Sequence, residues 1–557
     1  MVRQKFAYVV ALSGCLFVLA PKLPARGQAS TAQSPSHPKL VVLLLVDQLR
    51  VDYLTEYGGS FTAGLRRVMS EGAWFKKGAY PYLNTVTCAG HSTIGTGTFP
   101  YQHGMILNSW LDHASGTSTY CTDDPSAKDI SYSGLAPAAT GDSARQLLRP
   151  AIGEQIHERG GRSVALSLKP RSAIPIFGHK GDAVTWFDER GGWSTSTAFA
   201  REPVPFLKQF IDANPVTADY DKVWERALDP SAYRYEDAGK GEGRPSGWAS
   251  VFPHPLGTPG AQPDRVFYSR WQRSPFSDEY LARMAMAAVD ALNLGRGETT
   301  DFLGVSFSAL DVVGHAFGPR SHEVQDLLIR LDRTIGHLLD HLDKTVGAGN
   351  YVVGFSSDHG VADIPDQTGR GGRQSGQQAA DALMKVLVPA LGRGDHVLAV
   401  AYTDIYLSAA ADERLDRDGR LRAAAMNALA GLPAIERVFR AEDLEGDNAR
   451  SSSDRLRRAA ALSFHKDRSG DLIIVPKEDW LLAASVTTHG TQHDYDQRVP
   501  VIIFGASVKP GEYEAEATPA DIVPTLAAVA GVRIAKTDGR VLNEAIGAPT
   551  ETSKGSR

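Results

Sequence analysis

From Leu40 onward, short apolar runs alternate with longer amphipathic stretches along the chain. This alternation is typical of a mostly parallel sheet with helices on both faces. The predicted core strands are Lys39–Val46, Ser163–Leu168, Asp301–Phe307, Tyr351–Phe355 and Val499–Phe504. The predicted helices lie around Ser143–Arg159, Ser277–Leu294, Ser321–Leu342 and Pro519–Ala530. We therefore predict an α/β fold.

Two segments interrupt this alternation. Residues 190–275 are rich in Pro, Gly, Trp and Tyr, and residues 362–484 carry their own strand and helix patterns between two core strands. We interpret both as insertions, the second as a cap, within one catalytic domain that spans residues 38–545.

The first 27 residues have the pattern of a secretory signal peptide. A basic start precedes the apolar run Phe6–Ala20, and small residues near Ala25 flank a cleavage point. We expect export to the periplasm or the medium. Lipid attachment at Cys15 is the less favoured alternative, because apolar residues continue directly after it. No later segment is long and apolar enough to predict a membrane span.

The charge balance argues against a nucleic-acid partner. The chain has 59 Lys and Arg against 64 Asp and Glu, a formal charge of −5. No Lys/Arg-rich run is present that could follow a nucleic-acid backbone. A small-molecule substrate is therefore the better expectation.

Carboxylate and imidazole groups follow separate predicted strands, at the edge where an open α/β sheet places its ligand crevice. They are Asp47, Asp311, His315, Asp358, His359 and His489. A single Asp–His pair is more often a helix cap or a surface pair, but the convergence of all these residues favours a metal site. Asp and neutral His are usual ligands of Zn²⁺, and this set suffices for two ions. Two such ions can clamp both sides of a phosphoryl transfer.

Two further motifs fit that chemistry. Thr87, in Asn84-Thr-Val-Thr87-Cys88, lies at or near the start of a predicted helix. Such a Thr usually only caps the helix, but beside a metal its hydroxyl ionises more easily and the helix start attracts an anion. Lys169-Pro-Arg171 follows a predicted strand. In isolation it would be a solvated loop, whereas in the same crevice it would bind phosphate.

Two cysteines, Cys88 and Cys121, remain once the leader is set aside. An exported chain permits a disulfide between them, and two separate thiols are equally compatible with the sequence.

In their order along the chain, several motifs resemble the alkaline phosphatase superfamily, and most closely its exported, phosphate-irrepressible alkaline phosphatases with a Thr nucleophile. The resemblance covers nearly the whole mature chain. The motifs are VDQLRVDYL, TVTCAGHSTIGTGTFPYQHGMILNSW, SLKPRSAIPIFGH, SFSALDVVGHAFGP, SSDHG, THGTQHDYDQRVPVIIFG and TPADIVPTLAAVAG.

The resemblance implies two zinc ions. Asp47, Asp358, His359 and the Thr87 oxygen would bind one, and Asp311, His315 and His489 the other. His493 is the alternative to His489, which is favoured because Gly490 follows it directly. The family also implies structural or supporting roles for His91, His103 and His179. Such a site can also take Mn²⁺ or Co²⁺, and no third metal is implied.

The resemblance places Asn108, Lys169 and Arg171 around the phosphate and makes Thr87 the nucleophile. It implies hydrolysis of small phosphate monoesters through a phosphothreonine, in a protein that we expect to be a monomer. The runner-up is a phosphodiesterase or nucleotide pyrophosphatase with the same metals. A sulfatase is disfavoured because its Cys-x-Pro-x-Arg motif is absent, and a non-catalytic phosphate-binding protein because no candidate ligand is lost.

Overall fold

The computed structural model describes residues 37–136, 140–188 and 190–547. The predicted signal peptide and Cys15 lie outside the described residues. The centre of the fold is a ten-stranded sheet. In order across the sheet its strands are Gly511–Ala517, Ala73–Gly78, Val501–Gly505, Tyr351–Ser356, Leu40–Val46, Asp301–Phe307, Ser163–Ser167, Ala183–Asp188, Gly192–Ser196 and Asp129–Ser131.

The middle of this sheet is parallel. Leu40–Val46 pairs in parallel with Asp301–Phe307 on one side and Tyr351–Ser356 on the other, and Ser163–Ser167 pairs in parallel with Asp301–Phe307. Val501–Gly505 is antiparallel to Tyr351–Ser356. The predicted α/β class and all five predicted core strands are therefore confirmed, with bounds shifted by at most two residues.

Helices cover both faces, as the uninterrupted apolar strand Leu40–Val46 requires. All seven of its residues are fully buried. Leu40, Val42, Leu44 and Val46 belong to one apolar cluster, and the alternate residues belong to a second cluster on the opposite face. The sheet is thus sandwiched between two apolar layers.

The α-helices are Val51–Glu56, Gly64–Glu71, Thr87–Thr96, Pro100–His103, Ile152–His157, Pro170–Phe177, Pro205–Ala213, Arg265–Gln272, Pro275–Leu292, Ala309–Phe317, His322–Thr345, Pro365–Thr368, Gly376–Leu391, Ala409–Arg417, Gly419–Ala430, Gly446–Arg450, Arg455–Ser463, Asp494–Gln497 and Ile522–Ala530. Short 3₁₀ helices are Gly58–Ser60, Val216–Asp219, Pro230–Ala232, Pro245–Gly247, Ala441–Asp443, Pro519–Asp521 and Asn543–Ala545. None of the helices in the described ranges has the length and apolar character needed to cross a membrane.

One predicted helix is absent over most of its length. Ser143–Arg159 was expected to be a single helix, but only Ile152–His157 is helical. Pro150 lies just before it, and a proline disfavours helical conformation in the residue that precedes it. Ala151, after the proline, is extended and forms the N-cap.

The predicted cap segment contains a second sheet. Its four antiparallel strands lie in the order Val397–Ala401, Asp404–Leu407, Leu472–Pro476 and Ile435–Arg440. Helices in this segment share an apolar cluster with the sheet. The boundaries 190–275 and 362–484 stay predictions, and the strand Gly192–Ser196 of the first segment pairs within the central sheet.

The remaining strands form four two-stranded pairs. They are Ser109–Asp112 with Thr117–Tyr120, Asp123–Asp124 with Gly141–Asp142, Val223–Trp224 with His254–Pro255, and Gly372–Arg373 with Trp480–Leu481.

Candidate active site

The candidate residues gather at one edge of the central sheet because its middle strands are parallel. Asp47 directly follows Leu40–Val46, and Asp358 comes two residues after Tyr351–Ser356. Lys169 comes two residues after Ser163–Ser167. Carboxyl ends of parallel strands lie at the same edge, so these three side chains converge there.

The second group reaches this edge from other elements. Asp311 and His315 lie one turn apart on the helix Ala309–Phe317, which follows a core strand. His489 precedes the antiparallel strand Val501–Gly505, which begins at the same edge. Ligand atoms of Asp311, His315 and His489 lie within 4.8 Å of one another, and so do those of Asp47, Asp311 and His359.

The three histidines present the same nitrogen inward. Nδ1 of His359, His315 and His489 lies 3.0, 3.0 and 2.9 Å from the main-chain oxygens of Gly360, Thr487 and Thr85. A carbonyl oxygen only accepts, so each Nδ1 carries a proton and donates it. Each Nε2 therefore has a lone pair available for a metal when the ring is neutral.

Two carboxylate oxygens in the same space lack hydrogen-bond partners. Oδ1 of Asp47 and Oδ2 of Asp358 are buried and unpaired by any hydrogen bond. Nε2 of His359 lies 3.6 Å from the first and 3.2 Å from the second. Buried anionic oxygens facing lone-pair nitrogens are a donor set that fits a divalent cation such as zinc.

The close packing of the carboxylates shifts the pKa values of Asp47 and His359. Burial, together with the charges of Asp311 and Asp358, raises the pKa of Asp47 to about 6. Burial opposes the charge of His359, but Asp358 and Asp47 outweigh it and raise the pKa of His359 to about 9. The surroundings thus favour added positive charge, which a metal ion would supply.

Thr87 is the first residue of the helix Thr87–Thr96, as predicted, and it is buried. Its Oγ1 lies 3.4 Å from Nε2 of His359. Gly90 allows this approach, because a Cβ there would lie 2.2 Å from the main-chain oxygen of Asp358. The hydroxyl is thereby held beside His359, which forms the first group of candidate ligands together with Asp47 and Asp358.

Asn108 is tied to the start of the same helix. Its Oδ1 accepts a hydrogen bond of 2.9 Å from the main-chain nitrogen of Cys88. Cys88 forms a disulfide with Cys121, which resolves the alternative left open by the sequence. The main-chain nitrogen of Cys121 donates to the main-chain oxygen of Asn108 at 2.9 Å. Asn108 and Thr87 are thus fixed relative to each other.

Lys169 and Arg171 supply positive charge next to the carboxylates. Nζ of Lys169 donates to Oδ2 of Asp47 at 2.6 Å and also to Oδ2 of Asp311. Nη1 of Arg171 donates to the hydroxyl of Tyr120 at 2.7 Å, while its Nε is buried without a hydrogen-bond partner. The guanidinium therefore has donor capacity left for an anion.

His315 lines two cavities. The larger, of about 720 Å³, is lined by Tyr120, Lys169, Arg171 and Asp311 among others. The smaller, of about 480 Å³, is lined by Asn108 and His489 and by mainly apolar side chains. The candidate phosphate-binding residues are thus distributed between two adjoining spaces.

Sequence reasoning missed two residues of the site. Gln48 donates from Nε2 to Oδ1 of Asp311 at 2.7 Å and from its main-chain nitrogen to Oδ1 of Asp358 at 3.1 Å. Gln48 lies directly after Asp47 and has a φ of 69°. Its two hydrogen bonds link the two groups of candidate ligands. Tyr120 orients Arg171. Adjacency to Asp47 was a usable signal for Gln48, but nothing in the sequence indicated Tyr120.

The other histidines fall into distinct environments. Nδ1 of His91 lies 3.2 Å from Oδ2 of Asp358, and its Nε2 lies 2.7 Å from Oγ of Ser306. His103 contacts Thr93, and His179 contacts Glu154. Nε2 of His493 lies 3.0 Å from the main-chain oxygen of Pro476. The histidine grouped with Asp311 and His315 is therefore His489.

Comparison with known proteins gives consistent matches. Residues 41–496 match the model of the family described as type I phosphodiesterase / nucleotide pyrophosphatase. Alkaline phosphatase PafA of Elizabethkingia meningoseptica is 30% identical over 93% of this chain and 96% of its own length. Alkaline phosphatase PhoV of Synechococcus elongatus is 28% identical over 93% of this chain and 95% of its own.

The fold agrees with solved structures of PafA. The wild-type crystal structure has a TM-score of 0.83 and 29% identity, and the match covers 92% of this chain and 99% of that one. A variant of PafA in which one threonine, one asparagine, one lysine and one arginine are substituted has a TM-score of 0.84 and 28% identity, with the same coverage.

Proposed function

This chain belongs to the type I phosphodiesterase/nucleotide pyrophosphatase family, and we propose that within it the protein is an alkaline phosphatase that hydrolyses phosphate monoesters. Relatives named alkaline phosphatases match more than nine-tenths of both chains, which supports the assignment. The large, mostly parallel sheet flanked by helices agrees with the fold of PafA.

The observation that carries the proposal is the positive charge next to the candidate ligands, where Lys169 bonds to Asp47 and Asp311. Lys169 and Arg171 line one cavity with Asp311 and His315, and Asn108 is bonded to the residue after Thr87. A monoester brings a dianionic phosphoryl group, whose non-bridging oxygens suit an ammonium, a guanidinium fork and an amide. A diester carries one negative charge fewer and would therefore interact less strongly with the ammonium and the guanidinium.

We assign two Zn²⁺ as cofactors from the donor set. Asp47, Asp358, His359 and the Thr87 oxygen would hold one ion, and Asp311, His315 and His489 the other. The inward Nε2 atoms and the unpaired oxygens of Asp47 and Asp358 support this assignment. When bound, the ions would lower the pKa of a coordinated hydroxyl and stabilise the leaving oxygen.

Thr87 is the proposed nucleophile. Its oxygen forms a bond to phosphorus as the bond to the ester oxygen breaks, and the alcohol departs. Water then cleaves the phosphothreonine, which releases inorganic phosphate and restores Thr87. Asn108 and Arg171 hold the non-bridging oxygens, and Lys169 balances the charge that develops on them.

The PafA variant supports the choice of these four residues. Its substituted threonine and asparagine are separated by as many residues as Thr87 and Asn108, and its lysine and arginine are two positions apart, as are Lys169 and Arg171. The residue types also occur in the same order. We therefore propose equivalent positions in this chain.

The second candidate function is phosphodiester or nucleotide pyrophosphate hydrolysis, favoured by the description of the matching family. The deciding measurement is kcat/KM on 4-nitrophenyl phosphate and on methyl 4-nitrophenyl phosphate, before and after chelation and with zinc restored. Zinc-dependent preference for the monoester is expected. Zinc-dependent preference for the diester would assign the second function instead.

We further propose that the protein is exported through the signal peptide at residues 1–27 and acts as a monomer. Sedimentation of the purified mature protein tests the monomer, and N-terminal sequencing tests cleavage near residue 27. A start at Cys15 carrying lipid would replace soluble export with a lipoprotein.

A further inference from the structure

The smaller cavity beside the site differs in character from the larger one. We call it the uncharged groove; it has about 480 Å³, and Leu107, Trp110 and Leu111 form one wall while Ala399, Ala401 and Tyr402 form the other. Among the described residues that line it there is no Lys, Arg, Asp or Glu. The larger cavity, by contrast, is lined by several arginines and aspartates. A dianion and an apolar group would therefore partition between the two spaces.

The groove is continuous with the proposed reaction centre. Asn108 and His489 line the groove, and His315 lines both cavities. Thr87 contacts His359, a member of the first ligand group. In an in-line displacement the leaving oxygen departs on the side away from the nucleophile. With Thr87 assigned to the first ion, the proposed two-ion arrangement puts that oxygen beside the second ion, which His315 and His489 would help to hold.

The wall formed by Ala399, Ala401 and Tyr402 comes from the cap segment. Val397–Ala401 is an edge strand of the four-stranded sheet. Ala399, Ala401 and Tyr402 pack against the same apolar cluster that contains Leu107 and Trp110. Leu398, on the same strand, does not line the groove and is 52% exposed. The strand thus places two small side chains where larger ones would fill the groove.

Tyr402 joins this wall to the reaction centre. It has a φ of 56°, a conformation that bulky residues seldom adopt. Its hydroxyl donates to the main-chain oxygen of His489, and its ring packs against Gly490. Strained backbone held by such contacts is characteristic of functional sites.

We infer that the uncharged groove binds the alcohol portion of the substrate, and that the preferred substrates are phosphate monoesters of apolar alcohols, alkyl or aromatic. This inference rests on the proposed phosphatase function and adds a substrate class to it. Apolar contacts made away from the reacting atoms would contribute to kcat/KM through burial of the alcohol.

The test is a series of n-alkyl phosphates from methyl to hexyl. Since the longer alcohols differ little in acidity, we expect kcat/KM to rise about two- to fourfold for each added methylene, as burial of apolar surface predicts. Ala401→Phe should lower kcat/KM for hexyl phosphate by about tenfold or more and leave methyl phosphate within about twofold. Leu398→Phe, the matched control on the same strand, should leave the whole series unchanged.

Binding of methyl- and hexylphosphonate, measured by calorimetry, separates this inference from the proposed function. Tighter binding of hexylphosphonate, lost in Ala401→Phe, supports the groove even if no ester is hydrolysed; absence of turnover would then count against the phosphatase alone. A flat dependence on chain length, or an equal loss for all esters in Ala401→Phe, would overturn the inference. If Ala401→Phe does not fold, Ala399→Leu serves as the second variant with the same expected outcomes.

Discussion

Nζ of Lys169 lies 2.6 Å from Oδ2 of Asp47 and bonds to Asp311 as well, so one ammonium joins both groups of candidate ligands. Lys169→Ala removes this charge next to the phosphoryl group. We expect kcat/KM for a monoester to fall by about 10²- to 10³-fold, and that for a diester by much less. The exposed pair Lys180 and Glu158 offers a control in Lys180→Ala. Equal losses for the two esters would contradict the role assigned to Lys169.

Two substitutions test the role of Thr87. Thr87→Ala should lower turnover by about a thousandfold or more while zinc remains bound, because the nucleophilic oxygen is lost. Thr87→Ser keeps that oxygen and should retain activity within about tenfold. Steady-state kinetics with metal analysis of both variants are the measurement. Near-normal turnover by the Ala variant would exclude Thr87 as nucleophile.

The sequence predicted the position of the site better than its detail. Asp47, Asp358 and Lys169 follow strands whose apolar character was plain, so their convergence could be deduced from parallel pairing. The bond from Arg171 to Tyr120 joins segments 51 residues apart, and no local pattern predicts such a contact. The predicted helix before Ile152 is absent, and Pro150 is a local reason, because a proline disfavours helical conformation in the residue before it. The periodicity of apolar residues predicts a helix through this proline.

Gln48 should control metal affinity although it is not a proposed ligand. It bonds to both Asp311 and Asp358, and groups that orient ligands typically contribute 10- to 100-fold in affinity. We expect Gln48→Ala to weaken zinc binding by about that factor, measured by competition with a chelator. Gln102→Ala, which removes a bond to Asp538 away from the site, is the control. Unchanged zinc affinity in Gln48→Ala would show that its bonds do not position the ligands.

Asp278 gives a prediction about pH. Its Oδ1 accepts from the main-chain nitrogens of Ser308 and Ala309 at the start of the helix that carries Asp311. Burial, with a contribution from Asp47, raises the pKa of Asp278 from 3.8 to about 7. The folded protein therefore retains a proton that the unfolded chain releases, and the associated stability is fully present below about pH 4 and lost as the pH rises to 7.

Asp278→Asn removes this titration and keeps an acceptor for the same two nitrogens. The free energy of unfolding of the variant should therefore fall less than that of the wild type between pH 5 and 8, by a few kcal/mol at most. Urea unfolding of both proteins, freed of metal, at these two pH values is the measurement. Parallel pH dependences would show that Asp278 does not titrate as described.

The disulfide between Cys88 and Cys121 closes a loop across 33 residues that contains Asn108. Cys121→Ser should lower the free energy of unfolding by about 2–4 kcal/mol, because the open chain gains conformational freedom. Activity should fall as well, since Asn108 would be held less firmly beside Thr87. Peptide mapping without reductant should recover the two cysteines in one linked species. Two free thiols in freshly purified protein would remove this prediction and leave the catalytic assignments intact.

The antiparallel placement of Val501–Gly505 has a consequence for how the site comes into being. It brings His489 to the edge where Asp47 lies, so the two candidate ligand groups draw on residues from opposite ends of the chain. During synthesis the segment bearing His489 leaves the ribosome only after nearly all the rest. A nascent chain thus cannot complete the second group until synthesis is almost finished, and a fragment ending before residue 489 would lack it permanently.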